Sequence, residues 1–311
     1  MVKAALLTAL LLAANGSPVA LAESCRLVSH ALGSSCVSPE PKRVAVLDTG
    51  ELDIVLALGV EPIAATTPYQ VGQFPAYLQM DDDRVRSLGV VQEPDLERLM
   101  RLQPDVIMGS QQRHGQLYPI LSSIAPTVFS ESLGASWAEN LQLFAGALGR
   151  EAVAERLLAG IDEQCRQIRK QYRAKGQPRL SIIRSMQTHV RLPLGGSFIG
   201  SLVQRCGLLR PDAQSGTGFD RRLRSPRHID MLDGDIILLS EYAPGQGSLI
   251  KRWQRSPFWS RLVGQVHEVD DSYWMLGIGP VAAKRVLNDL QRIIASYSQR
   301  LQQQAQPYAQ H

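Results

Sequence analysis

The stretch from Ser136 to Lys175 constrains this chain more than any other. Leu141, Phe144, Leu148, Val153, Leu157, Ile161, Cys165 and Ile168 recur there near a 3.6-residue period, which predicts a long amphipathic helix interrupted at Gly149. On both sides of it, short apolar runs alternate with helical patterns. Before it come strands over 43–48, 62–66, 104–108 and 127–129, with helices over 51–58, 95–102 and 120–124. After it come strands over 179–184, 235–239 and 266–269, and a helix over 198–206 ended by Gly207. Such alternation builds parallel sheets covered on both faces. Laying residues 101–110 over 231–240 aligns Asp105 with Asp235 and Ser110 with Ser240, so the two halves share one grammar. The expected fold is α/β, with two Rossmann-like lobes of parallel-rich sheet joined by a single long helix. The expected divisions are a leader over 1–22, a first lobe over 23–135, a connecting helix over 136–176, a second lobe over 177–300 and a frayed tail over 301–311.

The leader follows from its own pattern. Lys3 is followed by an almost wholly apolar run to Ala14, and Ala20-Leu21-Ala22 then supplies small residues at a cleavage site before Glu23. That layout is a secretory signal. A membrane anchor needs about 20 unbroken apolar residues, and Asn15, Gly16, Ser17 and Pro18 interrupt this one. Export permits disulfides. Cys25 and Cys36 flank a hairpin turning near Leu32-Gly33, and pairing across it is the preferred choice among the three connectivities that four cysteines allow. Export also argues against nucleic acid as the partner of a chain whose +4 formal charge is carried largely by arginine.

The usual catalytic signatures are missing. Gly196-Ser-Phe-Ile-Gly200 lacks G-x-S-x-G spacing and reads better as a helix start capped by Ser197. No G-x-G-x-x-G or P-loop is present, and His30, His114, His189, His228 and His267 are scattered without ligand spacing. What remains lies at strand ends, where open α/β sheets bind ligands. Thr49, Tyr69, Gln111, Arg113, Arg184, Arg191, Tyr242 and Trp274 fall there, with Arg221 and Arg222 in an arginine-rich loop ahead of the second-lobe helix. Hydroxyls, amides, aromatics and arginines with few acids suit a large, oxygen-rich, net-negative ligand. For Arg221 and Arg222 a merely solvated surface is an equal alternative.

Several segments carry a family resemblance over about 26–294. Glu93-Pro-Asp-Leu-Glu97 followed by Leu102-Gln-Pro-Asp-Val-Ile107 resembles a motif of the siderophore-type periplasmic binding proteins. Arg43-Val-Ala-Val-Leu-Asp48, Leu58-Gly-Val-Glu-Pro62, Ser256-Pro-Phe-Trp259 and Tyr273-Trp274 with Gly279-Pro280-Val-Ala-Ala283 fit the same family in the same order. The resemblance implies a helical-backbone (class III) binding protein, periplasmic after cleavage at Ala22 and monomeric. It implies no catalysis and no cofactor of its own, with a ferric siderophore as transported ligand and an inner-membrane ABC permease as partner. It places Glu97 on the first-lobe docking position, but puts Arg227 where the second lobe usually has Glu, so that either Asp230 or Asp233 substitutes or the partner differs. Val91 stands where the hydroxamate binders carry Arg, and Asp220-Arg221-Arg222 where they tend to carry an aromatic; fewer aromatics and more arginine favour a carboxylate-rich anionic chelate over a neutral hydroxamate. Haem or cobalamin is the runner-up ligand, with Tyr69 placed to meet an iron. A signalling protein of the same fold ranks behind it, and a hydrolase last.

Overall fold

The computed structural model describes residues 25–69, 72–80, 83–242 and 247–305. The expected leader and the last part of the expected tail lie outside them. Strands β1 (Arg26–His30) and β2 (Gly33–Val37) form the antiparallel hairpin, and a disulfide joins Cys25 to Cys36 across it. The hairpin is fastened to the first sheet through Ser35 Oγ, which donates to Thr127 O at 2.7 Å.

That sheet runs in the order β6-β5-β4-β3-β7-β8. Its strands are β3 (Val44–Val46), β4 (Ala64–Thr67), β5 (Arg86–Val90), β6 (Glu93–Pro94), β7 (Val106–Ser110) and β8 (Thr127–Ser130). All pairings are parallel except that of the short edge strand β6. Helices α1 (Thr49–Ala57), α2 (Leu96–Arg101), α3 (Gln111–His114) and α4 (Tyr118–Ile124) follow the strands. Strands β3, β7 and β8 are buried throughout, as expected of parallel strands covered on both faces.

The bridge begins with α5 (Trp137–Leu148), which ends at Gly149 in the left-handed conformation, φ 65°, where glycine bears no steric penalty. The long helix α6 (Glu151–Arg173) follows. A second disulfide, Cys165–Cys206, fixes α6 to the end of α7 (Phe198–Arg205). Arg169 reinforces it, donating to Cys206 O and Arg205 O at 2.8 and 2.9 Å.

The second sheet has the order β11-β10-β9-β12-β13. Its strands are β9 (Leu180–Ser185), β10 (Val190–Pro193), β11 (Asp220–Leu223), β12 (Ile236–Glu241) and β13 (Gln265–Glu268). Strands β9, β12 and β13 are parallel, while β10 and β11 turn back antiparallel. Helices α8 (Leu249–Gln254), α9 (Asp271–Trp274) and α10 (Pro280–Ala305) complete the order. The last helix runs to Ala305, into the tail expected over 301–311. It packs against α6, and its first turn meets α1 of the first sheet.

The aligned acids do the same work in both halves. Asp105 accepts the amides of Lys42 and Arg43 at 2.8 and 2.9 Å, and Asp235 accepts the amide of Arg179 at 2.6 Å. Each aspartate holds the entry of one central strand from the strand beside it, satisfying edge amides that otherwise lack a partner.

Candidate ligand-binding cleft

The carboxyl ends of the two sheets face one cavity of about 200 Å³. Residues after β3, β4 and β5, with Arg113 of α3, line it from the first sheet. Residues of β9 and β10, the start of α7, and the loop after α9 line it from the second. Tyr69 and Tyr242 meet across it edge to face, with centroids 5.7 Å apart.

Three arginines reach this cavity, and each is held by its own aspartate. Arg184 is buried and paired side-on with Asp271, Nε to Oδ1 at 2.7 Å and Nη2 to Oδ2 at 2.5 Å. Its guanidinium also lies 4.9 Å from the Tyr242 ring centroid. Burial pushes the Asp271 carboxyl above its ordinary range despite that arginine and the Ser240 hydroxyl. Arg191 sits 3.4 Å from Asp220, and its Nε points to His189 Nε2 at 3.1 Å. Arg113 Nε stands 3.0 Å from Asp48 Oδ2, an ion pair whose alignment falls short of a hydrogen bond. Asp48, the N-cap of α1, is 2% exposed. Orienting a guanidinium on a carboxylate fixes its fork and leaves the remaining N–H groups for a ligand. The three aspartates also cancel the formal charge of the three arginines, so the cleft offers directed donors rather than a diffuse positive field.

A family model described as periplasmic binding protein matches residues 44–263. The chain belongs to the periplasmic binding protein family. A relative in Bacillus subtilis strain 168, the "Probable siderophore-binding lipoprotein YfiY", is 30% identical over 281 residues and covers 86% of each chain. The achromobactin-binding periplasmic protein of Dickeya dadantii is 31% identical over 264 residues, covering 81% of this chain and 86% of that one. Among solved structures, Staphylococcus aureus SirA complexed with staphyloferrin B superposes with a TM-score of 0.77 over 86% of this chain and 98% of its own. At 24% identity that likeness establishes the shared fold.

In this binding protein, Thr49, Tyr69, Arg113, Arg184, Arg191 and Tyr242 all line the cavity. The other four expected residues sit differently. Trp274 forms part of the wall but is wholly buried, and its indole donates to Asp289 at 3.0 Å; no ring face is open for stacking. Gln111 lines a neighbouring groove with Gln112 and Phe219. Arg221 lies opposite Leu192 in the antiparallel register, which puts it on the sheet face away from Arg191. Arg222 shares the Arg191 face, yet is exposed and paired with Asp220 at 3.2 Å outside the cavity. Sequence reasoning also missed Asp48, Asp220 and Asp271. Only the polarity of Asp48 at the end of its strand signalled any of them.

Ser197 is a helix cap, donating to Leu194 O and accepting from Gly200 N at 3.1 Å. Among the described residues no group of three or more His, Cys, Asp or Glu side chains could hold a metal ion.

Proposed function

We propose that the protein captures an anionic ferric siderophore in this cleft and delivers it, as a periplasmic monomer freed of its leader, to an inner-membrane ABC permease. The convergence of Arg113, Arg184 and Arg191 on one cavity carries the reading. Their anchored N–H groups match carboxylate oxygens in pairs, and the tyrosines at the mouth offer apolar surface to a chelator backbone. Relatives named for siderophores support the ligand class. The cavity is smaller than the roughly 300–1,000 Å³ of typical ligand sites, so capture requires the Tyr69–Tyr242 contact to part.

A tryptophan-fluorescence titration of the mature protein tests this against ferric citrate, ferric hydroxamates, ferric catecholates, haemin and cobalamin. Saturable quenching by a carboxylate-rich ferric chelate is expected, weakened at least about tenfold in Arg191→Gln, the loss of one charge-assisted contact. A response to haemin alone would transfer the protein to haem capture, with Tyr69 as the iron's neighbour.

For the docking step, Glu97 projects from α2, with Arg101 3.5 Å away. Arg227 is exposed on the second lobe, and Asp230 beside it is already paired with Arg261. Docking therefore relies on the first lobe. Glu97→Lys is expected to leave chelate affinity unchanged while lowering uptake in cells several-fold, because charge across an interface governs encounter more than cargo binding. Uptake equal to that of the parent protein would remove Glu97 from the interface.

A further inference from the structure

Glu51 lies directly beneath the cleft, and ligand capture as read above does not use it. It occupies the third position of α1, one turn after the N-cap Asp48, so both carboxyls sit at the amino end of one helix. Both side chains are enclosed, Asp48 at 2% and Glu51 at 1% exposed. Asp48 spends Oδ1 on Thr49 Oγ1 and Gly50 N, at 3.3 and 3.4 Å, and offers Oδ2 to Arg113. Glu51 Oε1 accepts from Ser130 Oγ at 3.0 Å, while Oε2 is buried with no hydrogen-bond partner among the described residues. Two buried carboxylates therefore share the α1 amino terminus and one arginine, and the arginine is already committed to Asp48.

We propose that Glu51 is a proton-holding positioning residue of the cleft: it stays neutral so that Arg113 faces the single charge of Asp48 and keeps its remaining N–H groups open to an anionic ligand, and losing its proton weakens capture. The inference rests on the anionic-chelate reading. Two enclosed like charges this close cannot both ionise without a second cation, and an unpaired buried carboxylate is expensive. Burial first, and the Asp48 charge second, push the Glu51 carboxyl up to about 8. The charged groups bearing on the pair are Asp48 on the same helix and Arg113 on α3; β8 contributes the Ser130 hydroxyl. His114 of α3 also feels Asp48 and Arg113, and burial lowers its pKa, which keeps it neutral. Ionising Glu51 thus places a negative charge where Asp48 alone now balances Arg113.

The experiment compares the mature protein with Glu51→Gln, using ferric citrate as probe between pH 6 and 9.5. The ratio of the two dissociation constants cancels the titration of the chelate itself. The parent protein is expected to weaken about tenfold relative to the glutamine variant between pH 7 and pH 9, as required when only the protonated form binds well. A ratio constant across that range overturns the proposal. The proton is also read without any ligand, from the carboxyl-carbon chemical shift of Glu51 in ¹³C-glutamate-labelled protein, assigned by its absence from the variant. A midpoint near 8 supports the proposal, and one below 6 overturns it. If ferric citrate binds neither protein at any pH, citrate is excluded as the cargo, and the carbon titration still decides whether Glu51 holds the proton.

Discussion

Replacing Arg184 with alanine is expected to abolish chelate capture and to lower the free energy of unfolding by about 3–5 kcal/mol. Arg184 and Asp271 are both buried, and their two hydrogen bonds join β9 to α9 across 87 residues of chain. Ser240 of β12 donates to the same carboxylate at 3.1 Å, so the pair closes a junction of three elements. Removing the arginine strands a buried carboxylate, the case in which breaking an ion pair is most destabilising. Arg184→Lys keeps the charge but loses the two-pronged geometry, and should recover part of the stability with little of the affinity. Urea unfolding measures the first effect and the fluorescence titration the second. A loss under about 1 kcal/mol, the worth of an exposed pair, would show that water reaches Asp271.

What the sequence made legible follows from this arrangement. Strands buried on both faces read as continuous apolar runs, so β3, β7, β8, β9 and β12 were visible, as was the cap Ser197. Strand β5 was hidden by Gly89, which adopts φ 85° where the pairing of β5 with β4 shifts register. Strand β11 reads Asp-Arg-Arg-Leu, a solvated edge with no apolar alternation to betray it. The rule that ligands sit beyond strand ends found Arg113, Arg184 and Arg191 because it needs only local order. It could not find their aspartates, since Asp271 and Asp220 reach those arginines through tertiary contacts between distant segments. The placement of Arg221 and Trp274 was hidden for a related reason: which face a side chain takes depends on register or on the turn of a short helix, and neither can be read without the neighbouring element.

Asp53→Ala is expected to cost about 2–4 kcal/mol, the loss of an acceptor shared by several buried donors. Asp53 is fully buried on α1 and accepts from the amides of Val281 and Ala282 at 2.8 and 2.9 Å, and from the Tyr77 hydroxyl at 3.0 Å. It caps the last helix from the first helix of the fold, satisfying amides that α10 cannot satisfy itself. Asp53→Asn keeps one oxygen and should lose about half as much, and Tyr77→Phe about 1 kcal/mol. Burial raises the Asp53 carboxyl to about 6, against 3.8 as its ordinary value. Between those values the folded state holds a proton that the unfolded state has released. The parent protein's advantage over the alanine variant should therefore be greatest near pH 4 and shrink as pH rises through 6. Urea unfolding at pH 4.5 and 7.5 checks the sign, and an advantage that grows with pH would mean that the charged carboxylate is the favoured form. The tie also reaches the cleft. Leu276 and Ile278, just before α10, line the cavity, and a side-chain carbon added at Gly50 would lie 3.1 Å from Ile278 Cβ. Loosening α10 from α1 shifts this wall, so the alanine variant should lose chelate affinity along with stability, although Asp53 itself never meets the ligand.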